Sequence, residues 1–194
     1  MEVLVGSLVF RSGGPADAEG IAALHADNWR RHYRGAFSDS FLDGDLDTER
    51  RAVWSERLAA PAGTVTIIAE DGDRLAAFVH VMLDHDPVWG SLVDNLHVQH
   101  GRHRTGIGSK ILARAAEAVT EQAIGDAIYL WVLQQNTAGQ HFYRAVGATE
   151  GETAAVPPPG GDHTRLNGSP KCLRMTWRDA SQLSRAVDAA PPTD

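Results

Sequence analysis

The stretch Asn95-Leu96-His97-Val98, continued by Gln99–Thr105 and then by Gly106-Ile107-Gly108-Ser109-Lys110-Ile111-Leu112, decides how this chain is read. A β-rich segment runs into a glycine-bearing loop, and the loop opens an amphipathic helix. Ile107, Ile111, Ala115 and Val119 recur every fourth residue with Leu112 beside them, so one stripe of the helix faces a core. The first N–H groups of a helix have no internal partner, and with the helix dipole they form an anion site. Gly106 and Gly108 lack a Cβ, so a phosphate can come close to the backbone. Arg102, Arg104 and Lys110 are placed to add charge-assisted contacts. A Walker loop would need Gly-Lys-Ser/Thr, but the order here is Gly108-Ser109-Lys110; a Rossmann fingerprint would need a glycine where Ile111 stands. A plain helix start with two convenient glycines is the remaining alternative.

Outward from this segment, the charge pattern is uneven. The formal net charge is −7, yet residues 95–116 contain no Asp or Glu. A basic island in an acidic chain points to a local anion site. The acidic total argues against broad binding of nucleic acid and suits a cationic substrate. The 194 residues suit one domain, expected over 1–178, followed by a flexible tail over 179–194. No apolar run is long enough for a membrane span, and the first residues lack a signal-peptide pattern. The lone Cys172 excludes an internal disulfide framework and a multi-cysteine metal site; no metal is expected. Together these features favour the cytoplasm and no membrane partner.

The elements alternate in type. Leu8–Arg11 reads as a strand, Pro15 to Tyr33 as a helix, and Ser38–Leu58 as a second helical region broken at Gly44. Thr64–Glu70 and Leu75–Leu83 form a hairpin about Asp71-Gly72-Asp73. Leu92–Val98 is a strand, Gly106–Gln122 the central helix, Ala127–Leu133 a strand and Thr137–Val146 a helix. A strand after Gly147, a Pro/Gly loop at Pro157–Gly161 and a last strand near Cys172–Trp177 follow. Strands mixed with helices, with a β-α-β unit in the second half, define an α+β fold with a mixed sheet.

With both motifs in view, the chain resembles the GNAT superfamily of N-acetyltransferases. Their pyrophosphate loop, Arg/Gln-x-x-Gly-x-Gly/Ala after a strand ending in Val, falls on His103-Arg104-Thr105-Gly106-Ile107-Gly108, with His103 departing from the usual Arg or Gln. The family's Asn-x-x-Ala-x-x-Phe-Tyr-x-x-x-Gly-Phe resembles Asn136 through Ala148, with Gly139 replacing the Ala and Ala148 the Phe.

The resemblance implies a mostly antiparallel sheet splayed in the middle, with helices on both faces. It implies acetyl-CoA as cosubstrate, held by Leu96, His97 and Val98 through their main chain, by residues 103–110 (His103, Arg104, Thr105, Gly106, Ile107, Gly108, Ser109 and Lys110), and by Asn136 and Tyr143. It also implies direct attack by a primary amine in a ternary complex, so Cys172 need not act as a nucleophile. Tyr143 is the expected general acid, since a phenol of ordinary pKa about 10 can protonate a thiolate of about 8.5. Asp94 resembles the position where several members carry an acid and is the candidate base, with proton loss through a water chain as its competitor; His80, His85 and His97 are further candidates that read first as structural or exposed. Asn136 would hold the cofactor or cap its helix. Members that acetylate ribosomal N-termini carry a Glu where Trp131 stands, which disfavours that role.

The acceptor is expected to be a small-molecule amine. A non-catalytic acyl-CoA-binding module and a protein or peptide acetyltransferase are the alternatives, and a homodimer is admitted by analogy with relatives. Asp39, Asp43, Asp45, Asp47 and Glu49 suit a cationic amine, but reading them as a solvated face, with Trp29 and Trp54 in the core, is preferred.

Overall fold

The computed structural model describes residues 8–188. Seven strands form one sheet in the order β1-β2-β3-β4-β5-β7-β6: β1 (Leu8–Ser12), β2 (Thr64–Asp71), β3 (Arg74–Asp86), β4 (Gly90–Val98), β5 (Ile128–Leu133), β6 (Thr149–Ala155) and β7 (Lys171–Trp177). Every neighbouring pair is antiparallel except β4 and β5. The helices are α1 (Ala18–His32), α2 (Asp39–Leu42), α3 (Leu46–Ala59), α4 (Ile107–Gln122), α5 (Thr137–Ala145) and α6 (Ala180–Asp188). This is the α+β architecture expected, with the sheet mostly antiparallel and covered on both faces.

Strand alternation divides the core between the two faces. Val79, Val81, Val93, Ile128, Leu130 and Val132 meet the stripe Ile107, Ile111, Leu112, Ala115 and Val119 of α4. Ile68 and Phe78 meet Ile21 and Leu24 of α1 and Trp54 and Leu58 of α3 on the other side. Leu133 and Cys172 extend that second face toward Trp29 and Phe37. Trp29 and Trp54 are therefore core residues, as the preferred reading held. α3 starts where Asp45 accepts the Thr48 N–H at 3.3 Å, which explains the break near Gly44.

The expected tail needs correction. Ala180–Asp188 is helical, and Ala180 and Leu183 are fully buried in the α4-side core. Their i, i+3 spacing puts two apolar side chains on one face, enough to dock a helix that the polar, proline-ending composition obscured. Residues 189–194 lie outside the described residues.

Two features of the sheet shape its centre. Gly90 has φ +77°, and a Cβ there would lie 2.1 Å from the Ala127 carbonyl oxygen. Only glycine lets β4 approach β5 this closely, and the Ser91 N–H then donates to Ala127 O at 2.9 Å. The parallel pairing this starts lasts for only three residue pairs, ending at Val93 with Leu130. At that point β4 carries a bulge: Val93 pairs with Val81 and Asn95 with His80, leaving Asp94 as the extra residue. Beyond it the strands diverge, opening the splay the resemblance implied.

Candidate active site

The splay leaves one edge of β4 open. Leu96, His97 and Val98 pair with Val79, Phe78 and Ala77 of β3, and no residue of β5 pairs with them. The loop from Val98 to α4 then turns through left-handed conformations at Gly101 (φ +83°), Arg104 (φ +64°) and Gly106 (φ +78°). Gly106 caps α4, and the first helical bond runs from the Lys110 N–H to Gly106 O at 3.1 Å. The amides of Ile107, Gly108 and Ser109 have no hydrogen-bond partner among the described residues. A left-handed turn feeding into a helix gathers such amides into an anion-binding concavity. Around it lies a recess of about 300 Å³ lined by Leu8, Asp71, Arg102, Thr105, Ile107 and Lys110.

These residues fit a pyrophosphate. A Cβ on Gly108 would make only ordinary contact with Phe142 and Val98, so its bareness is not demanded by packing and leaves the approach to the amides open. Arg104 and Lys110 are exposed at the loop. Arg102 differs from expectation: its Nη1 is 2.6 Å from Asp71 Oδ2, so its charge is already engaged in tying the loop to β2. His103 is exposed, and its ring lies 5.6 Å from that of His32 on α1.

Across the splay, Asn136 caps α5, accepting the Gly139 N–H at 2.9 Å. A Cβ on residue 139 would lie 2.7 Å from Asn136 Nδ2, so a larger residue there would require the Asn136 side chain to shift. Tyr143 sits about two turns beyond Asn136 along α5, half-buried, with its ring 6.3 Å from Trp177. Its hydroxyl makes no hydrogen bond among the described residues. Burial first, and the Tyr33 hydroxyl second, hold its phenol above the ordinary range, so it carries its proton at neutral pH. Tyr33, at the C-terminus of α1, is pushed up to about 12 by burial and then by Asp94. Tyr33 thus stands within electrostatic reach of both Asp94 and Tyr143.

Asp94 occupies the bulge but is not free. Its Oδ2 accepts from Arg57 Nη1 and from Asn95 Nδ2, each at 2.6 Å. Arg57 extends from α3 over the Trp54 ring. His97 and His80 are packed away: the His97 ring stacks 4.6 Å from His25, and His80 Nδ1 shares a 2.8 Å hydrogen bond with Thr66, whereas His85 is exposed and its Nδ1 shares one of 2.9 Å with the Tyr129 hydroxyl. Burial depresses His97 to about 3 and His80 to about 4. Only the main chain of His97 faces the open edge.

Sequence reasoning missed Arg57, whose role depends on a bulge that no local pattern announces. It also missed Arg174, although the alternation Cys172, Arg174, Thr176 placed a charged residue in the inward phase of β7.

An open strand edge, an amide-lined anion turn and a protonated tyrosine converging on one cleft define a class of acyl-transfer fold. The model of the acetyltransferase (GNAT) family matches residues 24–148, and the chain belongs to that family. The family is one of acetyltransferases. No curated protein matches the chain. Among solved structures it is similar to the PaiA N-acetyltransferase of Thermoplasma acidophilum in complex with coenzyme A, at 16% identity and TM-score 0.66 over 88% of this chain and 99% of that one. It is similar to a GCN5-related N-acetyltransferase of Rhodopseudomonas palustris at 15% identity and TM-score 0.67, over 92% and 99% of the two chains. Arabidopsis thaliana NAA60, in complex with a bisubstrate analogue, matches at 14% identity and TM-score 0.63 over 88% and 97%. At these identities the likeness is one of fold. No helix among the described residues is long and apolar enough to cross a membrane.

Proposed function

We propose that the protein transfers the acetyl group of acetyl-CoA to a primary amine of a small molecule by direct attack in a ternary complex. The observation that carries this reading is the open edge of β4 at Leu96–Val98, flanked by the free amides of Ile107–Ser109 and by Tyr143. The amides and Lys110 would hold the pyrophosphate, and the edge of β4 the pantetheine amides. Bound there, acetyl-CoA supplies an activated thioester. Tyr143 delivers a proton to the departing sulfur, and Asp94 takes the proton the amine must lose. For Asp94 to do so, the Arg57 contact must loosen when the acceptor arrives.

Preference for a small acceptor is supported by a strap over the acceptor side. The β6–β7 loop is zipped to the segment after α1: Ser38 N–H donates to Arg165 O and Asn167 N–H to Ala36 O, each at 2.9 Å, and Phe37 bridges to Leu166. Arg165 Nη1 locks the strap to Glu49 at 2.8 Å. A strap held from both sides leaves little room for the side chain of a folded protein substrate. A non-catalytic acyl-CoA-binding module is the second reading, favoured by the engagement of Asp94 with Arg57.

Calorimetric titration with acetyl-CoA, followed by a thiol-release assay over an amine panel, tests the proposal. Micromolar binding with turnover of an amine supports transfer. Binding with no turnover selects the binding module, and absence of binding by the folded chain removes both readings.

A further inference from the structure

Hydrogen-bonding capacity left unused on the acceptor face of the sheet is all of one kind. Among the described residues, three buried side-chain atoms lack a partner: Arg174 Nε, Arg174 Nη1 and His25 Nε2. The first two are N–H donors by nature. The third is one by elimination, because the Trp54 indole donates to His25 Nδ1 at 3.0 Å and leaves the proton of the neutral ring on Nε2. The acids that suggested a cationic acceptor are, by contrast, spent within the chain. Asp39 and Asp43 pair with Arg34, Asp47 with Arg30, Glu49 with Arg50 and Arg165, and Asp94 with Arg57. Asp45 caps α3.

Arg174 is the focus. It lies opposite Trp131 on β5, one residue past the last β4–β5 pair, so its strand is one removed from the mouth of the splay. Its guanidinium is stacked 4.4 Å from the Trp89 ring centroid, 4.5 Å from Trp131 and 5.1 Å from Tyr129. Glu152 reaches only Nη2, at 2.8 Å, from a half-exposed position on β6. Three aromatic faces fix the plane of the fork, and cation–π attraction offsets part of the cost of burying the charge. Three unanswered N–H groups, one on Nε and two on Nη1, on a residue 9% exposed remain unfavourable unless acceptors meet them.

We infer that the acceptor amine also carries a carboxylate, and that Arg174 receives it. The inference rests on the acetyl-transfer reading above and narrows its substrate to amino acids and related amino-carboxylates. Trp89, carried on the surface turn between β3 and β4, swings off the guanidinium as the carboxylate seats on the edge formed by Nη1 and the second N–H of Nη2, the one that Glu152 leaves free. From β7 to β4 is two strand spacings, about 10 Å. The chain length between amine and carboxylate therefore acts as a ruler.

The test uses the full chain with acetyl-CoA and three matched panels: ω-amino acids from glycine to 6-aminohexanoate with the α-amino acids, their carboxamides, and the corresponding alkylamines. The expected result is a kcat/KM at least tenfold higher for one or more carboxylate-bearing members than for the matched amide and alkylamine. Arg174→Met should collapse that ratio to near one while leaving the acetyl-CoA Kd unchanged. If Arg174→Met melts below the assay temperature, Arg174→Lys, which keeps the charge but loses the fork, should cut the ratio severalfold. Equal or better turnover of amides and alkylamines overturns the inference, as does a ratio that survives both substitutions. A chain that binds acetyl-CoA but acetylates no member of any panel also overturns it, leaving the cosubstrate reading intact. A chain that binds no acetyl-CoA overturns the transferase reading itself.

Discussion

Arg57 Nη1 stands 2.6 Å from Asp94 Oδ2, so the carboxylate at the β4 bulge is held by a cation from α3. The pair is partly exposed, and contacts of this kind contribute little to folding. Its interest is kinetic. Asp94→Asn should lower kcat by about 10²-fold with little change in the KM for acetyl-CoA, the signature of lost proton transfer. A loss below about threefold, from steady-state kinetics on the best acceptor, would assign proton removal to water.

Tyr143→Phe removes one hydroxyl and keeps the ring against Trp177. A general acid predicts a fall in kcat of about 10²-fold, with acetyl-CoA affinity and melting temperature preserved. Unchanged turnover would show Tyr143 to be a packing residue of α5.

Gly108→Ala should be tolerated on both counts. The new methyl group would sit 3.5 Å from Phe142 Cζ, an ordinary contact, so the melting temperature should move little. The family's loop carries Gly or Ala at this position, so the acetyl-CoA Kd measured by calorimetry should stay within about threefold, and a rise of about tenfold would show that the methyl blocks the free amides.

Gly90→Ala makes the opposite prediction. A Cβ 2.1 Å from Ala127 O, at φ +77°, forces β4 and β5 apart. A loss of about 3 kcal/mol or more is expected, or roughly 6–12 °C in a thermal melt.

Acid should weaken the fold through its histidines. His25, His80 and His97 are buried, and burial lowers each below the ordinary value of 6.5, His80 to about 4 and His97 to about 3. The unfolded chain therefore binds protons that the native one refuses once pH falls below about 6.5. The stability these groups contribute is intact above that value and is lost progressively as pH drops toward 4, at up to about 1.4 kcal/mol per pH unit for each histidine. Melts between pH 7.5 and 4.5 should show the decline, and His80→Gln should flatten it. A stability independent of pH across this range would rule the effect out.

The element order was legible because each strand and helix carried its own period, and the turn at Gly106 announced itself through composition. The bulge at Asp94 was not, because it exists only in register with His80 and Val81, which lie upstream in another strand. Nor was Arg57, whose partner is set by how α3 crosses the sheet. Asn136 was legible as a helix cap, whereas its steric demand on residue 139 required coordinates. Reading the acids between Asp39 and Glu49 as a solvated face was right to prefer, but which arginines pair with them was not legible, because counting charges says nothing about what folds against them. α6 was hidden because two buried side chains, Ala180 and Leu183, decide it amid an otherwise polar segment.

The open edge of β4 has a consequence for what counts as the native protein. Main-chain groups that every neighbouring strand exchanges for protein partners are left to water at Leu96–Val98. A ligand lying along that edge supplies what an eighth strand would, so it finishes the architecture as well as occupying it. Free and loaded chains would then differ in cooperativity. The halves β1–β4 and β5–β7 are joined across the sheet by three residue pairs and beneath it by the core under α4, so filling the gap adds a further link between them, and amide exchange in Leu96–Val98 reports which of the two molecules is in the tube.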